Sequence, residues 1–145
     1  MCFDLRANIS LLSQFPYLIP GTVLSNIRLN NTAVSDQEII DLLDRLKITY
    51  LANQQINENG QGISTGEKRR IALARILINP KPIVILDEPT ASLDQESEDL
   101  IIQEINNLSK TIVVIAATHH ERLINIASQK IELNINHKKL VGLNL

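Results

Sequence analysis

Ile83-Val84-Ile85-Leu86-Asp87-Glu88-Pro89-Thr90 is the stretch that decides the fold. Four apolar residues in a row, three of them β-branched, read as a strand buried on both faces of a parallel sheet. Two carboxylates follow at once, and Pro89 stops the strand. Adjacent acids beside a buried strand are costly unless a cation or hydrogen bonds await them. The plainer reading is a solvated strand end, since Asp-Glu-Pro is ordinary turn chemistry.

Working outward, helices and strands alternate. Asn8 to Ser13 reads as a short strand that ends at Gln14, and Phe15 to Gly21, with two prolines, as a loop. Ser35 with Glu38 is a capping box opening a helix, along which Ile39, Leu42, Leu43 and Leu46 recur at helical spacing. Asn53 to Gly62 is polar and reads as a loop. Ser64 with Glu67 is a second capping box, and its helix must end before Pro80. A third helix follows Asp94, with Leu100, Ile101, Ile105 and Leu108 on one side. Thr111 to Ala117 reads as another buried strand, and Ile131 to Val141 as a closing hairpin.

This alternation predicts an α/β domain with a mainly parallel sheet. Such sheets place functional groups just beyond the C-terminal ends of their strands. Gln14, the Asp87-Glu88 pair and His119 all stand there, so a common cleft is expected. Ser64 and Gly66 open a helix whose uncovered N–H groups could meet a phosphate, although from these residues alone a routine capping box is the favoured reading. His119-His120 raises the question of zinc, but no Cys or other His lies nearby at ligand spacing, so zinc is set aside.

Composition bounds the rest. The chain has 145 residues, 44% hydrophobic and 21% charged, with net charge −2. That suits one globular domain with an aliphatic core, and no basic block points to nucleic acid. The single Cys2 excludes an internal disulfide and fits a reducing compartment. No apolar run approaches the ~18 residues that span a bilayer, and the first residues do not read as a secretory signal. A cytoplasmic chain is expected, meeting a membrane only by docking on another polypeptide.

Taken in order, these pieces resemble the ATP-binding domain of ABC transporters, from about Asn8 to about His120. Gln14 is similar to the Q-loop glutamine, and Phe15 to Ile27 to the stretch that follows it in exporter-type members. Ile63-Ser64-Thr65-Gly66-Glu67-Lys68-Arg69-Arg70 resembles the family signature and its helix. Ile83 to Glu88 resembles Walker B, Ser92-Leu93-Asp94 the D-loop, and Thr118-His119 the H-switch. Glu58 sits where exporters carry a loop that touches the transmembrane domain. The subfamily stays open, with glutathione/cysteine-exporter-like and lipid-exporter-like members among the possibilities.

The resemblance implies a P-loop NTPase-like fold with a helical signature subdomain at about 28–80. It implies ATP and Mg²⁺ as cofactors, with Asp87 ordering Mg²⁺ through water and Glu88 polarising the attacking water. His119 would hold the γ-phosphate, and Gln14 would sense phosphate and transport partner. Ser64 and Gly66 would serve the nucleotide of a second ATPase domain, in a homo- or heterodimer, with Asp94 linking the two sites. The transporter's transmembrane domain is the other partner implied, which places the chain peripherally at the cytoplasmic face of the membrane.

Two departures matter. Thr65 and Glu67 stand where the signature usually has Gly and Gln. No Gly-x4-Gly-Lys-[Ser/Thr] occurs, and 13 residues before Gln14 are too few for the segment that would hold that motif, Walker A. The expectation is therefore a domain truncated at its N-terminus and inactive alone. The alternative is a non-catalytic interaction fragment of an ABC ATPase. A chromosome-organising ATPase head is disfavoured, because Ile71 to Asp94 leaves no room for the long coiled coil that interrupts such heads.

Overall fold

In the computed structural model Ile83–Asp87 is a strand, with Val84 and Leu86 buried and Ile83, Ile85 and Asp87 half-buried. The apolar run predicted burial on both faces; the fold seals one. Side chains alternate along a strand, so each face is covered independently. Leu11, the register partner of Ile85, is 64% exposed on the less covered face.

The structure describes residues 5–29, 31–58, 61–91, 93–132 and 139–143. Cys2, Ser92 and Leu133 lie outside them, as do two residues of the polar loop, Asn59 and Gly60. In chain order the elements are α1 (Leu5–Asn8), β1 (Ile9–Leu12), β2 (Gly21–Thr22), α2 (Val23–Arg28) and α3 (Asp36–Arg45). After a tight helical turn at Thr49–Leu51 come β3 (Gln55–Ile56), α4 (Thr65–Leu77), β4 (Ile83–Asp87) and α5 (Gln95–Leu108). Then follow β5 (Val113–Thr118), α6 (Glu121–Asn125), β6 (Gln129–Glu132) and β7 (Lys139–Leu143). They form two compact units, one holding the described residues up to Gln14 and from Pro80 onward, the other Phe15–Asn79.

The first unit carries a five-stranded sheet in the order β1-β4-β5-β7-β6. β1, β4 and β5 run parallel, with Leu12 beside Leu86 and Asp87 beside Ala117. The expected hairpin closes the sheet antiparallel, β7 pairing both β5 and β6. Leu12, Val84, Leu86, Val114 and Ala116 are buried, and so are Leu100, Ile101, Ile105 and Leu108 of α5. Asp94 caps α5, accepting from the Ser97 backbone N–H at 2.9 Å and the Ser97 hydroxyl at 2.8 Å.

The second unit is helical. Both capping boxes are present, Ser35 with Glu38 and Ser64 with Glu67, and Ile39, Leu42, Leu43 and Leu46 are buried as their spacing predicts. Sequence reading left three features unseen. The polar loop pairs Gln55–Ile56 with Gly21–Thr22, burying Ile56. Gly21 starts that ribbon at φ +135°, where an added Cβ would lie 2.7 Å from Ser25 Oγ, so only glycine fits. α2 follows directly, capped by Thr22, whose hydroxyl accepts from the Ser25 N–H at 3.0 Å.

The third feature is a buried polar knot around Asn26. Its side-chain oxygen accepts from the Ile19 N–H at 2.9 Å, and its amide donates to the carbonyls of Ile19 and Thr22 at 2.9 and 3.0 Å. Arg75, from α4, donates to the Asn26 side chain and to the carbonyls of Asn26 (2.8 Å) and Tyr17 (2.6 Å). The loop before β2 is thereby tied to two helices, although its prolines forbid regular structure.

Candidate functional site

Parallel pairing brings the C-terminal ends of β1, β4 and β5 to one edge of the sheet. β4 lies between the other two, so Asp87 and Glu88 leave from the centre of that edge. His119 follows the last residue of β5 on one side, and Gln14 comes two residues after β1 on the other.

Glu88 is held firmly. Its backbone takes φ +48°, rare for a residue with a side chain, and its N–H donates to the Ala117 carbonyl at 2.9 Å. The Ala91 N–H donates back to the Glu88 carbonyl at 3.2 Å, closing a turn that has Pro89 in its second position. These constraints turn the carboxylate inward, leaving the residue 3% exposed. It is not left bare. The Thr118 hydroxyl donates to Oε2 at 3.3 Å, and His119 Nδ1 lies 2.9 Å from Oε1.

With the carboxylate ionised it can only accept, and the tautomer that fits the contact is then the one with the proton on His119 Nδ1. The rest of the imidazole is exposed to solvent. A buried carboxylate paired to an exposed imidazole can take up a proton and be reoriented by a ligand on the other ring nitrogen. Asp87, half-buried at the strand end, offers the oxygen chemistry that suits Mg²⁺.

Ser64 is exposed and caps α4: its hydroxyl accepts from the Glu67 N–H at 3.2 Å, and Glu67 Oε2 accepts from the Ser64 N–H at 2.7 Å. Gly66, in the first turn, is half-buried. Asp94 is exposed, and both its oxygens are occupied by the cap of α5. Sequence reasoning missed Tyr50, whose hydroxyl donates to Glu67 Oε1 at 2.6 Å. No local pattern announces a contact across seventeen residues.

The sequence model described as ABC transporter matches residues 2–91. The chain is 36% identical over 121 residues to the glutathione/L-cysteine transport system ATP-binding/permease protein CydD of Haemophilus influenzae, covering 80% of this chain and 21% of that protein. It is 35% identical over 153 residues to the transport/processing ATP-binding protein ComA of Streptococcus pneumoniae, covering 95% and 21%. It also resembles the structure of a bacterial Atm1-family ABC exporter with ATP bound, at TM-score 0.75 and 26% identity over 83% of this chain and 23% of that one. The chain thus spans about a fifth of the length of the curated relatives it matches.

Proposed function

Because this chain belongs to the ABC transporter family and is part of an exporter-type ATP-binding domain, we propose that it helps couple ATP hydrolysis to export across a membrane. The observation that carries the mechanism is the contact between buried Glu88 and exposed His119 at the end of two parallel strands.

In this reading Glu88 accepts a proton from the attacking water, and its burial excludes competing solvent. His119 keeps Nδ1 on Glu88 and turns its other nitrogen to the γ-phosphate. Asp87 would hold Mg²⁺, and Gln14 would reach the same phosphates from the neighbouring strand. Mg²⁺, when bound, offsets the charge of the triphosphate.

The unit at Phe15–Asn79 serves as the signature-bearing subdomain. Ser64 and Gly66 present the N-terminus of α4 to a nucleotide held by a second ATPase domain, and Asp94 links the two sites. The exposure of Ser64 supports that assignment, since a group serving another chain's ligand must be reachable. A transmembrane partner follows from relatives named as ATP-binding/permease proteins. Among the described residues no helix is long and apolar enough to cross a membrane. Phe15, Tyr17 and Ile19, exposed by 79%, 68% and 41%, offer an apolar docking surface beside Asn26, and Glu58 is a further exposed contact. The chain then works at the cytoplasmic face.

The test is Mg-ATP turnover by the transporter that contains this segment, wild type against Glu88→Gln. Retained nucleotide binding with turnover reduced by about a hundredfold or more is expected for loss of the base. Unchanged turnover would remove Glu88 from the mechanism.

A further inference from the structure

The histidine pair after β5 has a third companion that sequence spacing hides. Glu88, His119 and His120 each offer one ligand atom, and these atoms lie within 4.8 Å of one another. Two imidazoles and one carboxylate suit zinc-like first-row ions, whereas Mg²⁺ prefers oxygen alone. We propose that this trio binds a zinc-class divalent ion, at a site separate in chemistry from the Mg²⁺ that accompanies ATP.

Donors around a tetrahedral zinc ion stand about 2.0–2.2 Å from it and roughly 3.4 Å from each other. His119 Nδ1 and Glu88 Oε1, 2.9 Å apart, already approach that spacing. The ion replaces their hydrogen bond: the neutral imidazole moves its proton from Nδ1 to Nε2, with no net proton change. The two imidazoles, both reachable by solvent, close the remaining gap by side-chain rotation.

The surroundings are ordered for this purpose. Thr118 donates its hydroxyl to Glu88 Oε2 and accepts from the His120 N–H at 3.0 Å, which fixes the carboxylate and the start of the His120 backbone while Oε1 faces His119. His120 Nδ1 lies 3.4 Å from Glu98 Oε1, and Arg122 holds the other Glu98 oxygen at 3.0 Å. Glu98 Oε1 makes no hydrogen bond among the described residues, so it is placed to take up the His120 N–H once the other ring nitrogen turns to an ion, the usual support for a metal-ligating histidine. A bound ion occupies the Glu88 and His119 atoms that the hydrolysis reading needs, so ion binding and turnover exclude each other.

The experiment titrates ZnCl₂ into the 145-residue chain without nucleotide, in a background carrying Cys2→Ser and His137→Ala to remove the single thiol and the third imidazole. Calorimetry should give one ion per chain, and ring NMR signals of His119 and His120 should shift with a single midpoint. His120→Ala should weaken binding at least tenfold. If that variant fails to fold by circular dichroism, the ring signals of the background chain decide. Absence of saturable binding, a response from only one of the two imidazoles, or undiminished affinity in a folded His120→Ala chain overturns the proposal. The titration contains no nucleotide and measures no turnover, so its failure leaves the hydrolysis reading standing.

Discussion

Tyr50 donates its phenolic hydroxyl to Glu67 Oε1 at 2.6 Å, while Glu67 Oε2 accepts from the Ser64 N–H at 2.7 Å. One carboxylate thus joins the turn at Thr49–Leu51 to the first turn of α4 and completes its cap. This gives Glu67, a departure from the family signature, a structural task. In Tyr50→Phe, Glu67 should titrate closer to the ordinary carboxylate range, because a hydrogen bond to its charged form is gone. The thermal midpoint should fall only slightly, since Tyr50 is exposed. Carboxyl NMR titration and a melting curve check both.

The same carboxylate gives the cap a pH dependence. Burial opposes the charge on Glu67, but the hydrogen bonds from Tyr50 and Ser64 outweigh it and hold its pKa below the usual value. A carboxyl with a lowered folded pKa contributes fully above its unfolded pKa, and that contribution disappears as pH falls through the folded value. Glu38, held down by the Ser35 backbone and hydroxyl, acts in the same direction. Denaturant midpoints measured at about pH 7 and about pH 3 should fall more in the wild type than in Glu67→Gln. An equal fall would assign the acid sensitivity to other groups.

Asn26→Leu keeps the branched shape of the side chain but removes its donor and acceptor from the centre of the knot, leaving only the Arg75 bonds to the Asn26 and Tyr17 carbonyls. Arg75, already drawn below its ordinary pKa by burial, loses an acceptor, and the Ile19 N–H is orphaned. The expected cost is about 2 kcal/mol. The loop should also loosen, so chymotrypsin should cut after Tyr17 faster than in the wild type. Unchanged cleavage would show that the knot does not hold the loop.

Asp94 has a capping duty that must be separated from any duty between sites. Asp94→Ala should destabilise by about 1 kcal/mol, and Asp94→Asn, an equally good cap, by much less. If Asp94→Asn keeps stability but lowers turnover of the assembled transporter, the charge itself matters. If neither property changes, Asp94 is a cap only.

The 145-residue chain assayed by itself should show no steady Mg-ATP hydrolysis. Its candidate site brings two carboxylates, Asp87 and Glu88, toward a triphosphate, and the sequence contains no Gly-x4-Gly-Lys-[Ser/Thr] loop to offset that charge. Turnover that vanishes in Glu88→Gln would show this expectation to be wrong.

What the sequence determined by itself is what short-range physics writes into it. Ser35-Glu38 and Ser64-Glu67 are caps because each pair can reach its own backbone donors within one turn. Ile39, Leu42, Leu43 and Leu46 fall on one face because helix periodicity allows nothing else, and Ile83 to Leu86 had to be a strand. That Asp87, Glu88 and His119 would stand at one edge was legible because parallel strands end together there. The tertiary structure alone decided the contacts between distant residues. It set which face of β4 was sealed, paired Gln55–Ile56 with Gly21–Thr22, buried Asn26 against Arg75, and placed His119 and His120 beside Glu88. Such contacts depend on the path of the whole chain, and a residue's immediate neighbours carry almost no record of that path.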